Sequence, residues 1–204
     1  MKVDFKKSFD SYKAKRGKFS ITHVPTLQYL MIDGHKGPVS AEFSLAIQEL
    51  YPVAYTLKFM SKLTFKKDYV VPPLEALWWA DDMDVFTTKF DQSKWDWTVM
   101  IMTPDWITED MLKTAVDQVA AKKNEKSANT IRLEKFNEGT CAQILHIGAY
   151  AEEGPILKKM HDEFIPENGY KMQGKHHEIY FSDFRKTAPE KLRTILRQPV
   201  VIQD

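Results

Sequence analysis

The sequence predicts an α+β fold built from two copies of a strand–strand–helix–strand–strand unit. Three observations carry this. The order of predicted elements repeats along the chain. Apolar side chains alternate at period 2 in the strand candidates and recur at helical spacing between them. Short segments of the halves also align by residue type: TLQYLMIDG at 26–34 falls on CAQILHIGA at 141–149, placing Gln28 on Gln143 and Leu30 on Leu145. LEALWW at 74–79 falls on HEIYFS at 177–182, placing Glu75 on Glu178 and Leu77 on Tyr180. Halves of this kind pack around a pseudo-twofold axis, and a central cleft at their junction is the expected ligand site.

Each element has its own justification. Residues 1–18 are basic and polar and read as a solvated N-terminal extension. The remainder, 19–204, reads as one domain, with halves at about 19–103 and 128–204 and a helix at about 108–123 between them. FSITHVPTLQYLMID gives a short strand, a turn at Pro25 and a longer strand from Leu27. Phe43, Ile47, Leu50, Ala54, Leu57 and Met60 carry helical spacing over 40–63, and Pro52 inside that run is expected to kink or split the helix. Residues 68–79 and 95–102 are strand candidates, the first with prolines near its start. The middle helix shows an apolar face of Met111, Leu112, Ala115, Val116 and Val119. Strands at 129–135 and 139–149 flank an Asn-Glu-Gly turn. A helix follows with Pro155 in its first turn, then a strand at KHHEIYF and a closing strand after a short turn.

Composition narrows the function. The charges nearly cancel, with net charge +1, which argues against a nucleic-acid partner. No apolar stretch is long enough to span a membrane, and the basic N-terminus lacks the apolar core of a secretory signal. Cys141 is the sole cysteine, so no internal disulfide forms and a cytoplasmic setting is expected. Five tryptophans supply aromatic surface for core or for a pocket that takes flat ligands.

Glu178 and Tyr180 share one face of their strand, because side chains alternate across a strand. Glu75, Leu77 and Trp79 likewise share a face, and so do Trp95 and Trp97. A carboxylate in an aromatic pocket suits general-base chemistry on a bound water, or serves as counter-charge to a bound cation. Tyr180 is placed to hydrogen-bond a substrate carbonyl. Glu75, Trp79, Trp95, Trp97 and His146 are the further ligand-binding candidates, each also readable as core or as exposed strand. The histidines match no metal-ligand spacing, and no phosphate loop or dinucleotide fingerprint is present, so neither metal nor cofactor is expected.

Three segments, WDWTVMIMTPD at 95–105, EGTCAQILHIGAYAEEGP at 138–155 and HHEIYFSDFRKTAPEKLRTILRQPV at 176–200, resemble the GyrI-like small-molecule-binding proteins of the bacterial effector-binding-domain superfamily. The resemblance runs from about residue 18 onward. It implies two SHS2-type halves forming a curved antiparallel sheet with helices packed on it, and a cleft for bulky, planar, often cationic molecules. It also implies a stand-alone member with Glu178 in the position of the family's pocket acid. Some such members hydrolyse cyclopropanoid (spirocyclopropane) genotoxins, which makes Glu178 a general base assisted by Tyr180. The alternatives that the resemblance leaves are a non-catalytic sequestering or sensing module, and an inhibitor that contacts a topoisomerase as the family's namesake does.

Overall fold

The computed structural model describes residues 2–86, 88–123 and 131–203; residues 128–130, where the second half was expected to open, lie outside them. The strands in chain order are β1 (Lys2–Val3), β2 (Ser20–Val24), β3 (Leu27–His35), β4 (Asp68–Tyr69), β5 (Leu74–Trp79), β6 (Asp96–Thr103), β7 (Arg132–Phe136), β8 (Gly139–Ile147), β9 (Tyr170–Met172), β10 (His176–Tyr180) and β11 (Arg193–Ile202). The helices are α1 (Phe5–Ser8), α2 (Ala41–Thr64), α3 (Glu109–Lys123), α4 (Gly154–Lys159) and α5 (Ile165–Glu167). The fold is α+β, with antiparallel strand ladders and helices packed on them. The chain divides into two compact units that cut across the sequence halves.

In the first unit β3 runs antiparallel between β6 and β7, with Leu30 opposite both Ile101 and Leu133. The Trp78–Trp79 end of β5 belongs to this unit and β5 flanks β6. Helix α2 starts at Ser40, whose hydroxyl accepts from the Phe43 amide at 3.2 Å. It buries Phe43, Ala46, Leu50, Val53, Ala54 and Leu57, three or four residues apart, and packs on β3 and β6. Of the two expected effects of Pro52, a kink or a split, the split does not occur, since α2 runs unbroken through it. One hydrogen bond is forfeited, and the buried stripe on both sides of the proline holds the helix together.

The second unit contains β2, β8, β11 and β10 side by side, with the Leu74–Leu77 end of β5 next to β10 and β9 on the far end of β11. Its ladders place Gln143 opposite both Ser20 and Arg197, Leu196 opposite Glu178, and Thr194 opposite Tyr180. Both faces of this sheet are covered. On one, Tyr12 packs with Ile179 and Ile195, joined by Phe9, Ala14, Leu145 and Phe181. On the other, Met160 and Ile165 pack with Ala142 and Val200, joined by Phe19, Ile21 and Leu157. The N-terminal segment is therefore not a loose extension, since Ser11 and Tyr12 are buried.

Two details refine the repeat. Each half gives up its leading strand: β2 pairs with β8 and β7 pairs with β3. The helix after β8 also departs from ideal geometry. Helix α4 continues through a π-helical turn, Met160–Phe164, into α5. Pro166 has no amide to donate there, and the Asn168 side chain satisfies the Phe164 carbonyl at 2.8 Å.

Candidate active site

The site is built on β10, whose neighbouring residues serve opposite faces. His177 and Ile179 are fully buried, while His176, Glu178 and Tyr180 are partly exposed on the other side. The buried face is clamped by ions. His177 Nδ1 donates to Glu138 Oε1 at 2.8 Å, and Arg197 Nη1 donates to Glu138 Oε2 at 2.8 Å. Arg197 also donates through Nε to Gln143 at 3.2 Å and through Nη2 to the Ser11 carbonyl at 2.6 Å. Glu75 Oε2 lies 3.0 Å from His177 Nε2, close enough for charge attraction although not aligned as a hydrogen bond. The Tyr12 hydroxyl donates to Glu75 Oε1 at 2.5 Å.

Two acids and two bases thus balance in the interior. Burial alone would push the Glu138 carboxyl up, but the His177 and Arg197 charges outweigh it and hold Glu138 down at about 2. Burial disfavours the His177 cation as well, yet Glu138 and Glu75 raise its pKa above the usual value. Glu75 and Glu178 do not share a face. The segment alignment that paired them is one residue out of step, and a one-residue slip exchanges the two faces of a strand. Glu75 belongs with His177 in the clamp.

The other face of β10 carries the candidate site. The Tyr180 hydroxyl donates to Glu178 Oε2 at 2.7 Å, and His176 Nε2 lies 3.5 Å from Glu178 Oε1. The Tyr150 ring meets the Tyr180 ring edge-on, with centroids 5.9 Å apart. Tyr150 comes from a short 3-10 turn, Tyr150–Glu152, that leads into α4. The next residue, Glu153, is 5% exposed, and its Oε1 is buried with no hydrogen-bond partner among the described residues. Burial, then the Glu178 charge, pushes the Glu153 carboxyl up to about 10. Burial, reinforced by Glu178, Glu153 and Asp183, pushes the Tyr150 phenol up to about 12. His161 faces His176 with ring centroids 6.5 Å apart, and burial followed by the His176 charge brings it down to about 4.

Glu178 and Tyr180 come together as the spacing predicted, and the other candidates fall elsewhere. His146 is buried, and its Nε2 donates to the Ala149 carbonyl at 3.1 Å, so it secures the turn that presents Tyr150 and Glu153. Gly148 lies in that turn at φ 152°, where an added Cβ would meet Glu152 Oε2 at 2.6 Å. In the first unit Trp97 is fully buried against Phe43 and donates to the His35 carbonyl at 3.1 Å. Trp95 stacks on Phe86 at 4.4 Å and donates to the Val85 carbonyl at 3.1 Å. Trp79 is partly buried at the end of β5. Glu153 and Tyr150 were not singled out by the sequence, and His161 entered only among the histidines set aside as metal ligands. The doublet Glu152–Glu153 ahead of Gly-Pro was the only signal, and a turn has no period to reveal which acid faces inward. A depression of about 310 Å³ in the first unit, lined by Asp81, Asp82, Val85, Lys94 and Asp96, includes neither Glu178, Tyr180, Tyr150 nor Glu153.

An acid and a phenol in contact, beside a second tyrosine and a buried carboxyl, make the candidate small-molecule site of this α+β fold. The chain belongs to the GyrI-like small molecule binding domain family, whose model matches residues 17–201. A conserved protein from Listeria innocua, described as uncharacterized, is 38% identical over 98% of this chain and 100% of its own, with a TM-score of 0.89. A hydrolase from Listeria innocua is similar to the same extent, with a TM-score of 0.84. The EcmrR C-terminal domain shares the fold at 11% identity, covering 91% of this chain and 98% of its own, with a TM-score of 0.56. No curated protein matches the chain. Among the described residues no helix is long and apolar enough to cross a membrane.

Proposed function

We propose that this protein binds bulky, planar electrophiles and hydrolyses them, with cyclopropanoid (spirocyclopropane) genotoxins as the substrate class. The observation that carries the reading is the Tyr180–Glu178 hydrogen bond of 2.7 Å beside the Tyr150 ring. Glu178 acts as general base through Oε1, while Tyr180 holds Oε2 and fixes the carboxylate plane. The tyrosine walls hold a flat substrate against the activated water. A hydrolase at 38% identity over nearly the whole chain supports turnover rather than storage.

The same acid beside aromatic edges also suits simple capture of planar cations. Incubation with a spirocyclopropane alkylator, followed by mass spectrometry of the ring-opened product, separates the two. Many turnovers in the wild type, lost in Glu178→Gln with binding retained, are expected. Tight binding without product moves the protein to sequestration or sensing. Neither binding nor product removes this substrate class and favours a protein partner.

A further inference from the structure

We propose that Glu153 is the proton donor that works opposite Glu178, protonating the substrate oxygen on which charge develops as the ring opens. The inference rests on the hydrolytic reading above and names the group that reading lacks. Ring opening by water needs two proton transfers, one from water and one to the departing electron pair. Tyr180 is the obvious donor for the second, but its hydroxyl is already committed to Glu178 Oε2 at 2.7 Å.

Glu153 is placed to fill the role. The Glu153 amide donates to the Tyr150 carbonyl at 3.2 Å, fixing it one turn beyond the tyrosine whose ring touches Tyr180. Its carboxyl is more than nine-tenths buried, and Oε1 has no hydrogen-bond partner among the described residues. A buried carboxyl without a partner costs on the order of 1–3 kcal/mol in mutational terms, more if charged. The form that tolerates such a place is the neutral acid, whose proton is then available to a ligand. The charged and titratable groups that act on it are Glu178 on β10 and Tyr150 in its own turn.

The step balances. The water oxygen bonds to the ring methylene, and Glu178 takes one water proton. The ring carbon–carbon bond breaks, and its electron pair moves into the conjugated carbonyl, whose oxygen takes the proton from Glu153. One water has been added, Glu178 has gained a proton, and Glu153 has lost one. Exchange with solvent restores both.

The test compares Glu153→Gln and Glu153→Asp with wild type on a series of spirocyclopropyl ketones whose ring-opened anions differ in basicity. Circular dichroism checks folding, and binding is measured separately by fluorescence titration. Glu153→Gln is expected to lose about 10²- to 10⁴-fold in kcat with little change in binding. The loss should shrink for substrates that release a weakly basic anion, and Glu153→Asp should recover part of the rate. Infrared spectra at neutral pH should show a protonated-carboxyl band that Glu153→Gln removes. Unchanged kcat in Glu153→Gln, while Glu178→Gln is dead, overturns the proposal and leaves the hydrolytic reading standing. A uniform loss across the substrate series overturns it as well and makes Glu153 a structural residue. Absence of turnover in the wild type removes the hydrolytic reading itself.

Discussion

His177 and Glu178 are consecutive, yet one lies in a buried ion network and the other on the partly exposed face of the same strand, in contact with Tyr180. The clamp on His177 fixes the register of β10, and the register decides where Glu178 and Tyr180 point. Under the proposed function, stability and activity are therefore separable along a single peptide bond. Glu178→Gln should leave the unfolding midpoint nearly unchanged.

Arg197→Met should cost about 3–5 kcal/mol, because it leaves Glu138 in the interior without one of its two ion-pair partners. Adding Glu138→Gln to the same chain should recover part of that loss. Urea denaturation of the single and double variants measures both. A cost below about 1 kcal/mol for Arg197→Met would remove the clamp from the account.

Tyr12→Phe removes the hydroxyl that donates to Glu75 and leaves that carboxylate oxygen buried and unpaired. The expected loss is about 1–3 kcal/mol. For a chain of this size each kcal/mol lowers Tm by roughly 2–4 °C, which thermal melts resolve. A midpoint equal to wild type would show that Glu75 does not depend on the N-terminal segment.

The dependence of stability on pH follows from three buried groups. Glu138 is held down at about 2, so its contribution is present above its usual value of 4.5 and is lost as pH falls toward 2. His177 is shifted up, so its contribution is complete below 6.5 and is lost as pH rises through the folded value. Glu153 is pushed up to about 10, so the folded state holds a proton that the unfolded chain releases above 4.5. That difference costs stability as pH rises. Glu153→Gln should therefore match the wild type near pH 4 and exceed it increasingly toward about pH 9, as read by urea denaturation. A constant offset at all pH values would count against the buried neutral acid.

Cys141 is fully buried in β8, and burial, together with the neighbouring Glu138 charge, pushes its thiol far up. The native protein should resist Ellman's reagent and react stoichiometrically only when unfolded. Rapid labelling of the folded protein would show that β8 opens locally.

Much of this molecule was readable in its sequence, because alternation and helical spacing reflect burial directly. The pairing of Glu178 with Tyr180 came from period 2 alone, and α2 from its stripe. Glu75 falls with His177 and Tyr12 although residue type aligned it with Glu178, because type does not encode which face of a strand a side chain takes. Tyr12 sits in a basic run, and only partners far along the chain, Glu75, Ile179 and Ile195, explain its burial. Trp97 reads the same as core or as pocket lining until Phe43 is seen against it. Glu153 lies in a turn, where no periodicity distinguishes it from Glu152.

The exchange of leading strands has a kinetic consequence. β2 cannot find β8 until more than a hundred residues have been brought together, and Arg197 reaches the Ser11 carbonyl across 186 positions. Closing such loops costs chain entropy before any ladder forms, so the second unit must assemble late and slowly relative to its local helices. A half-chain fragment would keep its helix and lose its rim strand, presenting unpaired amides and carbonyls to any neighbour of similar sequence. The exchange thereby makes the two halves mutually dependent, and a cut between them should yield association of fragments rather than two independent folds.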